Sequence, residues 1–242
     1  MTESRYHDGT YLEANPSWHR EDSPWKAQHV AKLLQDHHIT PRRLCEVGCG
    51  AGQVLTALQG TFPEAHLEGW DIAEQAISLA QPTGNTHLQF HHGDFFKQSP
   101  DNSSDYDVVL ALDVFEHVEN YFDFLRQLRP RGRYCVFHIP LDLSAQAVVR
   151  GLPLRWRNDV GHLHYFTRDL ALTALKETGY RVIADRYTAY AIDRTAPTLK
   201  AKLARWPRQL AFQINPHQAA LWLGGFCLLV LAESNPSQTQ KL

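Results

Sequence analysis

Apolar and polar positions along this chain switch repeatedly between two periods. Over residues 24–36, Trp25, Ala27, Val30, Ala31, Leu33 and Leu34 recur at close to helical spacing, and Ser23 followed by Pro24 supplies a helix start. Residues 43–47 form a short apolar run that reads as a buried strand, followed by a glycine turn at 48–52 and a helix over 52–58. Strands are predicted again over 66–70, 88–91, 106–112 and 134–139, with helices over 73–80 and 121–128. A helix over 167–178 stops at Gly179, and strands follow at 180–186 and 226–231. Apolar strands alternating with helices are buried on both faces, so the pattern predicts an α/β fold built on a parallel sheet between helical layers.

Two stretches fall outside this alternation. Residues 6–25 hold several aromatics without a period, and residues 193–221 separate the last two strands. The second stretch interleaves Lys200, Lys202, Arg205 and Arg208 with Leu199, Leu203, Trp206 and Leu210, a basic amphipathic pattern. It fits a helix lying on a lipid surface, with a lipid or lipid-linked sugar as acceptor, or one whose apolar side contacts the domain beneath a solvated basic face. The second arrangement is the commoner and is the one expected. Residues 209–232 contain no Asp, Glu, Lys or Arg, but their unbroken apolar part, 219–232, is 14 residues long. That is short of the roughly 18 a membrane span requires, and it reads as a buried strand with its approach. The expected organisation is an N-terminal lid or helical extension at 1–40, a core domain at 41–232 carrying the 193–221 insertion, and a polar tail at 233–242.

Composition narrows the function classes. With 24 Lys+Arg against 26 Asp+Glu in 242 residues, the net charge of −2 lacks the electrostatic footprint of a nucleic-acid binder, and no nucleic-acid partner is expected. A single core of this size needs neither a disulfide nor a metal to hold it. Cys45, Cys49, Cys135 and Cys227 lie on apolar stretches without a C-x-x-C pair and read as buried reduced thiols. Together with a polar N-terminus lacking an apolar signal core, this predicts a cytoplasmic protein.

The candidate chemistry begins at Glu46-Val-Gly-Cys-Gly-Ala-Gly52, between a strand and a helix. Glycines there let a ligand approach the backbone, and the helix N-terminus offers free N–H groups. Asp71, 19 residues beyond Gly52, ends the next strand, where a carboxylate can accept hydrogen bonds from both ribose hydroxyls. The spacing is Gly48-x-Gly50-x-Gly52 with an acid two residues earlier, unlike the dinucleotide fingerprint G-x-G-x-x-G. This run resembles the first motif, E/D-x-G-x-G-x-G, of the class I S-adenosylmethionine-dependent methyltransferases. Gly93-Asp94-Phe95 and Leu112-Asp113-Val114-Phe115-Glu116-His117-Val118 are similar to later motifs of that family, while Leu128 to Arg133 departs from its L-x-P-G-G turn at Arg131.

The resemblance implies a three-layer, Rossmann-like, seven-stranded sheet, mostly parallel with an antiparallel last strand and helices on both faces. It also implies S-adenosylmethionine as cofactor and S-adenosylhomocysteine as product. Its candidate cofactor residues here are Glu46, Gly48, Gly50, Gly52, Asp71, Ile72, Asp94, Phe95, Asp113 and His117. Asp94 would bond the adenine amine, Phe95 would lie against the ring, and His117 would support the site.

Methyl transfer from a sulfonium is an in-line displacement, so the enzyme mainly holds donor and nucleophile in register. An oxygen nucleophile must also lose a proton, for which histidine is the usual acceptor. Of 14 histidines, His117, His138, His162 and His164 fall where the C-terminal sheet edge forms the cleft. His162 and His164 point the same way if their stretch is extended, and the run Gly161 to Thr167 is similar to a segment in one bacterial branch of the family. His138, His162 and His164 are the candidate general bases. No metal is expected, because H-E-x-x-H spacing is absent and the family's metal-dependent members would show an Asp-Asn pair where His138-Ile139-Pro140 stands. The lack of an Asn/Asp-Pro-Pro-Tyr run argues against base methylation. Trp18, His19 and Trp25 are candidate lid residues, with an extension packed beside the sheet as the equal alternative, and Trp156 is a candidate wall of the acceptor pocket. The expectation is a methyltransferase acting on a small-molecule acceptor at oxygen. The alternatives are a methyltransferase-fold binding or regulatory subunit and an NAD-dependent oxidoreductase, the latter opposed by the glycine spacing and the Asp113 motif.

Overall fold

The computed structural model describes residues 21–99, 106–193 and 199–234. Helix α1 (Ser23–Asp36) buries Ala27, Val30, Ala31, Leu33 and Leu34, the stripe its sequence predicts, with Pro24 in the first turn where no N–H partner is needed. The chain then runs through β1 (Arg43–Val47), α2 (Gln53–Thr61), β2 (His66–Asp71), α3 (Glu74–Ala80), β3 (Leu88–His92), α4 (Phe95–Gln98) and β4 (Tyr106–Leu112). After α5 (Tyr121–Leu128) and β5 (Gly132–Pro140) come three helices, α6 (Ala145–Val149), α7 (Leu152–Asp159) and α8 (Arg168–Glu177). Strand β6 (Tyr180–Thr188) is followed by α9 (Tyr190–Asp193), α10 (Leu199–Ile214), α11 (Pro216–Leu223) and β7 (Cys227–Ser234).

The seven strands form one sheet in the order β3-β2-β1-β4-β5-β7-β6. The pairs β1–β2, β1–β4, β2–β3 and β4–β5 are parallel, and β7 is antiparallel to both β5 and β6. Both faces are covered. On β4, Val108, Leu110 and Leu112 pack into one layer with α1, α2 and α3, while Val109 and Ala111 pack into the other with α5, α8 and α11. The strands therefore need no polar face, and their continuous apolar runs follow.

Registry places the late helices. Thr188 at the end of β6 and Pro140 at the end of β5 both pair with Cys227 at the start of β7. Helices α6 and α7 after β5, and α9 to α11 between β6 and β7, thus leave from the same edge at which the parallel strands end. The approach to β7, whose state the sequence leaves open, is the helix α11. Asn215 caps it by accepting from Gln218 N at 3.0 Å, and Pro216 occupies its first turn, so local capping outweighs an apolar run that suits either state. Among the described residues, no helix is long and apolar enough to cross a membrane.

Phe137 on β5 is fully buried, with ring centroids 6.1 Å from Phe115 and 5.2 Å from Tyr180. Phe137→Ala is expected to cost about 3–5 kcal/mol, read as a lowered urea midpoint, because it would open a cavity in the core between the sheet and the helices packed on it.

Candidate active site

The sheet order reverses at β1, whose neighbours are β2 on one side and β4 on the other. Crevices form at such switch points beyond the strand ends. A cavity of about 840 Å³ opens there, walled by the glycine turn, the ends of β2 and β4, α1, and the loop after α7.

The turn after β1 takes its shape from left-handed backbone at Gly48 (φ +76°), Gly50 (φ +54°) and Gly52 (φ +73°). A Cβ on Gly48 would fall 2.6 Å from Val114 Cγ2, and one on Gly52 would fall 2.4 Å from Phe90. Gly48 and Gly50 line the cavity, whereas Gly52 lies off it and lets α2 approach the sheet. Asp71 tethers the turn to β2: its Oδ2 accepts from Gly50 N and its Oδ1 from Ala73 N, both at 2.8 Å. Each oxygen keeps a lone pair for a ligand hydroxyl. Burial raises the Asp71 pKa against the pull of these N–H groups. Glu46, behind the turn, is 2% exposed, and its Oε2 has no hydrogen-bond partner. Burial pushes its pKa up to about 8.

Asp94 also lines the cavity, where its Oδ1 caps α4 by accepting from Phe96 N at 2.9 Å. Phe95 touches the cavity from within the core, between Trp70 and Tyr106 with the Arg131 guanidinium 4.6 Å over its ring. Ile72 lies on the wall as well.

Beyond β4, Asp113 adopts φ +55° and faces the cavity. Lys26 from α1 donates to its Oδ2 at 2.8 Å and to Asp22 Oδ2 at 3.1 Å. His138 Nδ1 lies 2.7 Å from Asp113 Oδ1, and His138 Nε2 lies 2.9 Å from Thr188 Oγ1. Burial alone would raise the Asp113 pKa, but His138 and Lys26 hold it far below the usual carboxylate range. Burial likewise acts to lower the Lys26 pKa, and the two aspartates raise it instead.

The predicted histidines are therefore not equivalent. His138 is 3% exposed, lies off the cavity and has both ring nitrogens engaged, so no nitrogen is left to take a proton from an acceptor. His164 lies off the cavity too, its Nε2 2.9 Å from Val118 O and 3.2 Å from Glu119 O. Loop geometry breaks the alternation that would have aimed it alongside His162. His162 does line the cavity, with Nδ1 2.6 Å from Asp142 Oδ2 and its ring 4.8 Å from that of His117, another wall residue. Glu116 beside them is fully buried with neither carboxyl oxygen hydrogen-bonded, and burial, then Asp113, raises its pKa well above the usual range.

Among the described residues, two groups have donor atoms close enough to share a metal ion: Asp113, His138 and Cys227, and Glu116, His117 and His162. The first spends its donors on Lys26 and Thr188. Trp156 lines the cavity. Trp25 does not: its Nε1 donates to Asp193 at 2.9 Å and its ring meets that of His138 edge-on at 6.0 Å. Trp18 and His19 lie outside the described residues. The sequence reading missed Lys26, Asp142 and Glu116. Only Glu116 carried a local signal, its place in the run from Leu112 to Val118.

A family model described as a methyltransferase domain matches residues 18–185. The malonyl-[acyl-carrier protein] O-methyltransferase of Halalkalibacterium halodurans is 30% identical over 111 residues, covering 43% of this chain and 41% of that protein. The chain thus spans less than half the length of this curated relative. Among solved structures, a putative methyltransferase in complex with the Haloferax volcanii Trm112 methyltransferase activator superposes with a TM-score of 0.68 at 16% identity, covering 97% of each chain. The magnesium protoporphyrin IX methyltransferase of Synechocystis with bound S-adenosylhomocysteine gives 0.59 at 16% identity, over 88% of this chain and 83% of that one. The chain belongs to the methyltransferase-domain family, and its fold is the one those solved methyltransferases share. The orphaned oxygen of Glu46, the open lone pairs of Asp71 and the glycine cradle fit S-adenosylmethionine.

Glu46 makes stability pH-dependent. Its folded pKa of about 8 exceeds the ordinary 4.5, so its contribution is complete below 4.5 and is lost as pH rises through 8. Glu46→Gln is expected to match wild type at low pH and to exceed its Tm by roughly 10 °C at about pH 9, read by thermal unfolding without cofactor.

Proposed function

We propose that this chain is an S-adenosylmethionine-dependent methyltransferase acting on an oxygen of a small-molecule acceptor held between His117, Trp156 and His162, with His162 as general base. The observation that carries this reading is the 2.6 Å contact between His162 Nδ1 and Asp142 Oδ2 in a side chain that lines the cavity. A carboxylate accepts only, so Asp142 holds the proton on Nδ1 and leaves Nε2 as the basic nitrogen. The same pairing stabilises the imidazolium formed when Nε2 takes a proton. Burial favours the protonated form of Glu116, which can donate a hydrogen bond to the acceptor.

When bound, S-adenosylmethionine supplies an electrophilic methyl group on a positively charged sulfur. Asp71 takes the ribose hydroxyls, Glu46 the methionine amine, and Gly48 and Gly50 admit the ligand against the turn. Ile72, Asp94 and Phe95 border the adenine. Asp113 and His117 form the wall between the cofactor and acceptor ends. His138 serves as a positioning residue, holding the Asp113 carboxylate in place. The malonyl-[acyl-carrier protein] O-methyltransferase and the magnesium protoporphyrin IX methyltransferase are named for very different acceptors, so the acceptor is a property of the His162 end.

Incubation with methyl-labelled S-adenosylmethionine and fractionated cell extract identifies the acceptor. With it in hand, His162→Gln is expected to lower kcat by about 10²–10⁴-fold while the thermal stabilisation by S-adenosylhomocysteine stays at the wild-type level. Wild-type turnover in that variant removes the base assignment. Asp71→Ala is expected to do the reverse, abolishing stabilisation by S-adenosylhomocysteine; retained stabilisation removes the ribose assignment.

A further inference from the structure

The sequence pattern of α10 favours an apolar side turned to the domain, and the structure shows two apolar sides. Ala211 and Phe212 face inward, with Phe212 stacked on Phe226 at 4.9 Å and edge-on to Tyr187 at 6.3 Å. Trp206, Leu210 and Ile214, spaced four apart, form a second stripe that points away: Trp206 is 69% exposed and Ile214 75%. The core already has its contact with this helix, so burial within the domain does not account for the outer stripe.

That stripe is part of a larger surface. Helix α10 packs on α11, α11 on α6, and α6 on α7. Arg208 ties three of them together, donating to Gln146 Oε1 of α6 and to Leu223 O at the end of α11, each at 3.3 Å. Among the described residues, every large exposed apolar side chain except Leu170 lies on these four helices, including Val149 at 87%, Leu154 at 68% and Trp222 at 63%. Solitary exposed apolar residues are ordinary, but a cluster on contiguous helices marks an interaction surface.

Charge identifies the partner. Segments 145–159 and 199–223 together hold seven Lys and Arg and one acid, Asp159, a formal net charge of +6. Asp159 is taken by Arg155 at 3.0 Å. The whole chain is −2, so the remainder is −8. The side chains of Lys200, Lys202 and Arg205 lie outside the described set, but their charges belong to the same helix. A negative surface therefore attracts this face and repels the rest, which orients the molecule as well as binding it. Tryptophan beside basic residues, with aliphatic tips and no spanning helix, suits the headgroup boundary of a bilayer rather than its interior.

We propose that α6, α7, α10 and α11 form a docking surface for an anionic lipid bilayer. The surface borders the active site, because α7 also supplies Trp156 to the cavity wall. Docking stands on exposure and charge alone and holds whatever the methyl acceptor is.

The test is flotation of the full chain with phosphatidylcholine vesicles, with and without phosphatidylglycerol, at low and high salt. Expected are co-flotation with the anionic vesicles only, loss at high salt, and a blue shift of tryptophan fluorescence on binding. Trp206→Ser with Ile214→Ser, and separately Trp222→Ser, are expected to weaken vesicle binding at least about tenfold. Each variant should be stabilised by S-adenosylhomocysteine as wild type is, which separates lost docking from lost folding or lost cofactor binding. Failure to float with anionic vesicles at low salt, or variants that float like wild type, would overturn the proposal. So would a dimer in velocity sedimentation that the same substitutions abolish without any vesicle binding, since the face would then belong to a second copy.

Discussion

A half-buried carboxylate at the end of the central strand needs its charge answered nearby, and Asp113 meets that need with two partners from distant parts of the chain. Lys26 arrives on α1 and His138 on β5, and Thr188 of β6 holds the far side of the imidazole. Removing either partner would leave one oxygen of this half-buried carboxylate without its partner, which costs more than the net worth of the pair. One side chain thereby fixes how α1 lies against the C-terminal edge and where the wall between the two ends of the cavity stands. The left-handed backbone of Asp113 persists because these contacts over-determine it.

Other buried acids around the cavity are not answered in this way. Glu46 and Glu116 each keep carboxyl oxygens without hydrogen bonds at almost no exposure, an arrangement that costs stability. Both lie on the cavity wall, so the polar groups the fold leaves open are those a ligand can use. Asp71 lies between the two cases. Its charge is shared with the backbone of the turn it shapes, and its remaining lone pairs are open.

The edge of the sheet concentrates function for a topological reason. Parallel strands all end on one side, and the antiparallel β7 begins there, so the helices after β5 and those before β7 emerge beside the site. Their inner faces complete the core through Phe212, Ala219 and Ala220. Among the described residues these helices carry nearly all of the large exposed apolar side chains, and their segments have a formal charge of +6. A near-zero total charge hides this separation, which becomes visible only when charges are sorted by element.

Much of this was legible in the residues. Apolar periodicity determined the alternation of strands and helices, and the seven-stranded arrangement followed the motif resemblance. The glycine turn, Asp71 and the acidic end of β4 were placed by spacing, because a ligand loop between a strand and a helix is local and leaves a local signature. Tertiary structure decided what depends on contacts across the chain. It separated four cleft histidines into one paired with Asp142 on the cavity wall, one beside it, and two turned to other partners. It brought in Lys26 from a helix whose apolar stripe spoke only of packing, and it turned the apolar approach to β7 into α11. It also showed that α10 has two apolar sides, of which the core needs one. Periodicity reports that a face is apolar, but which surface covers it is set by how distant elements pack.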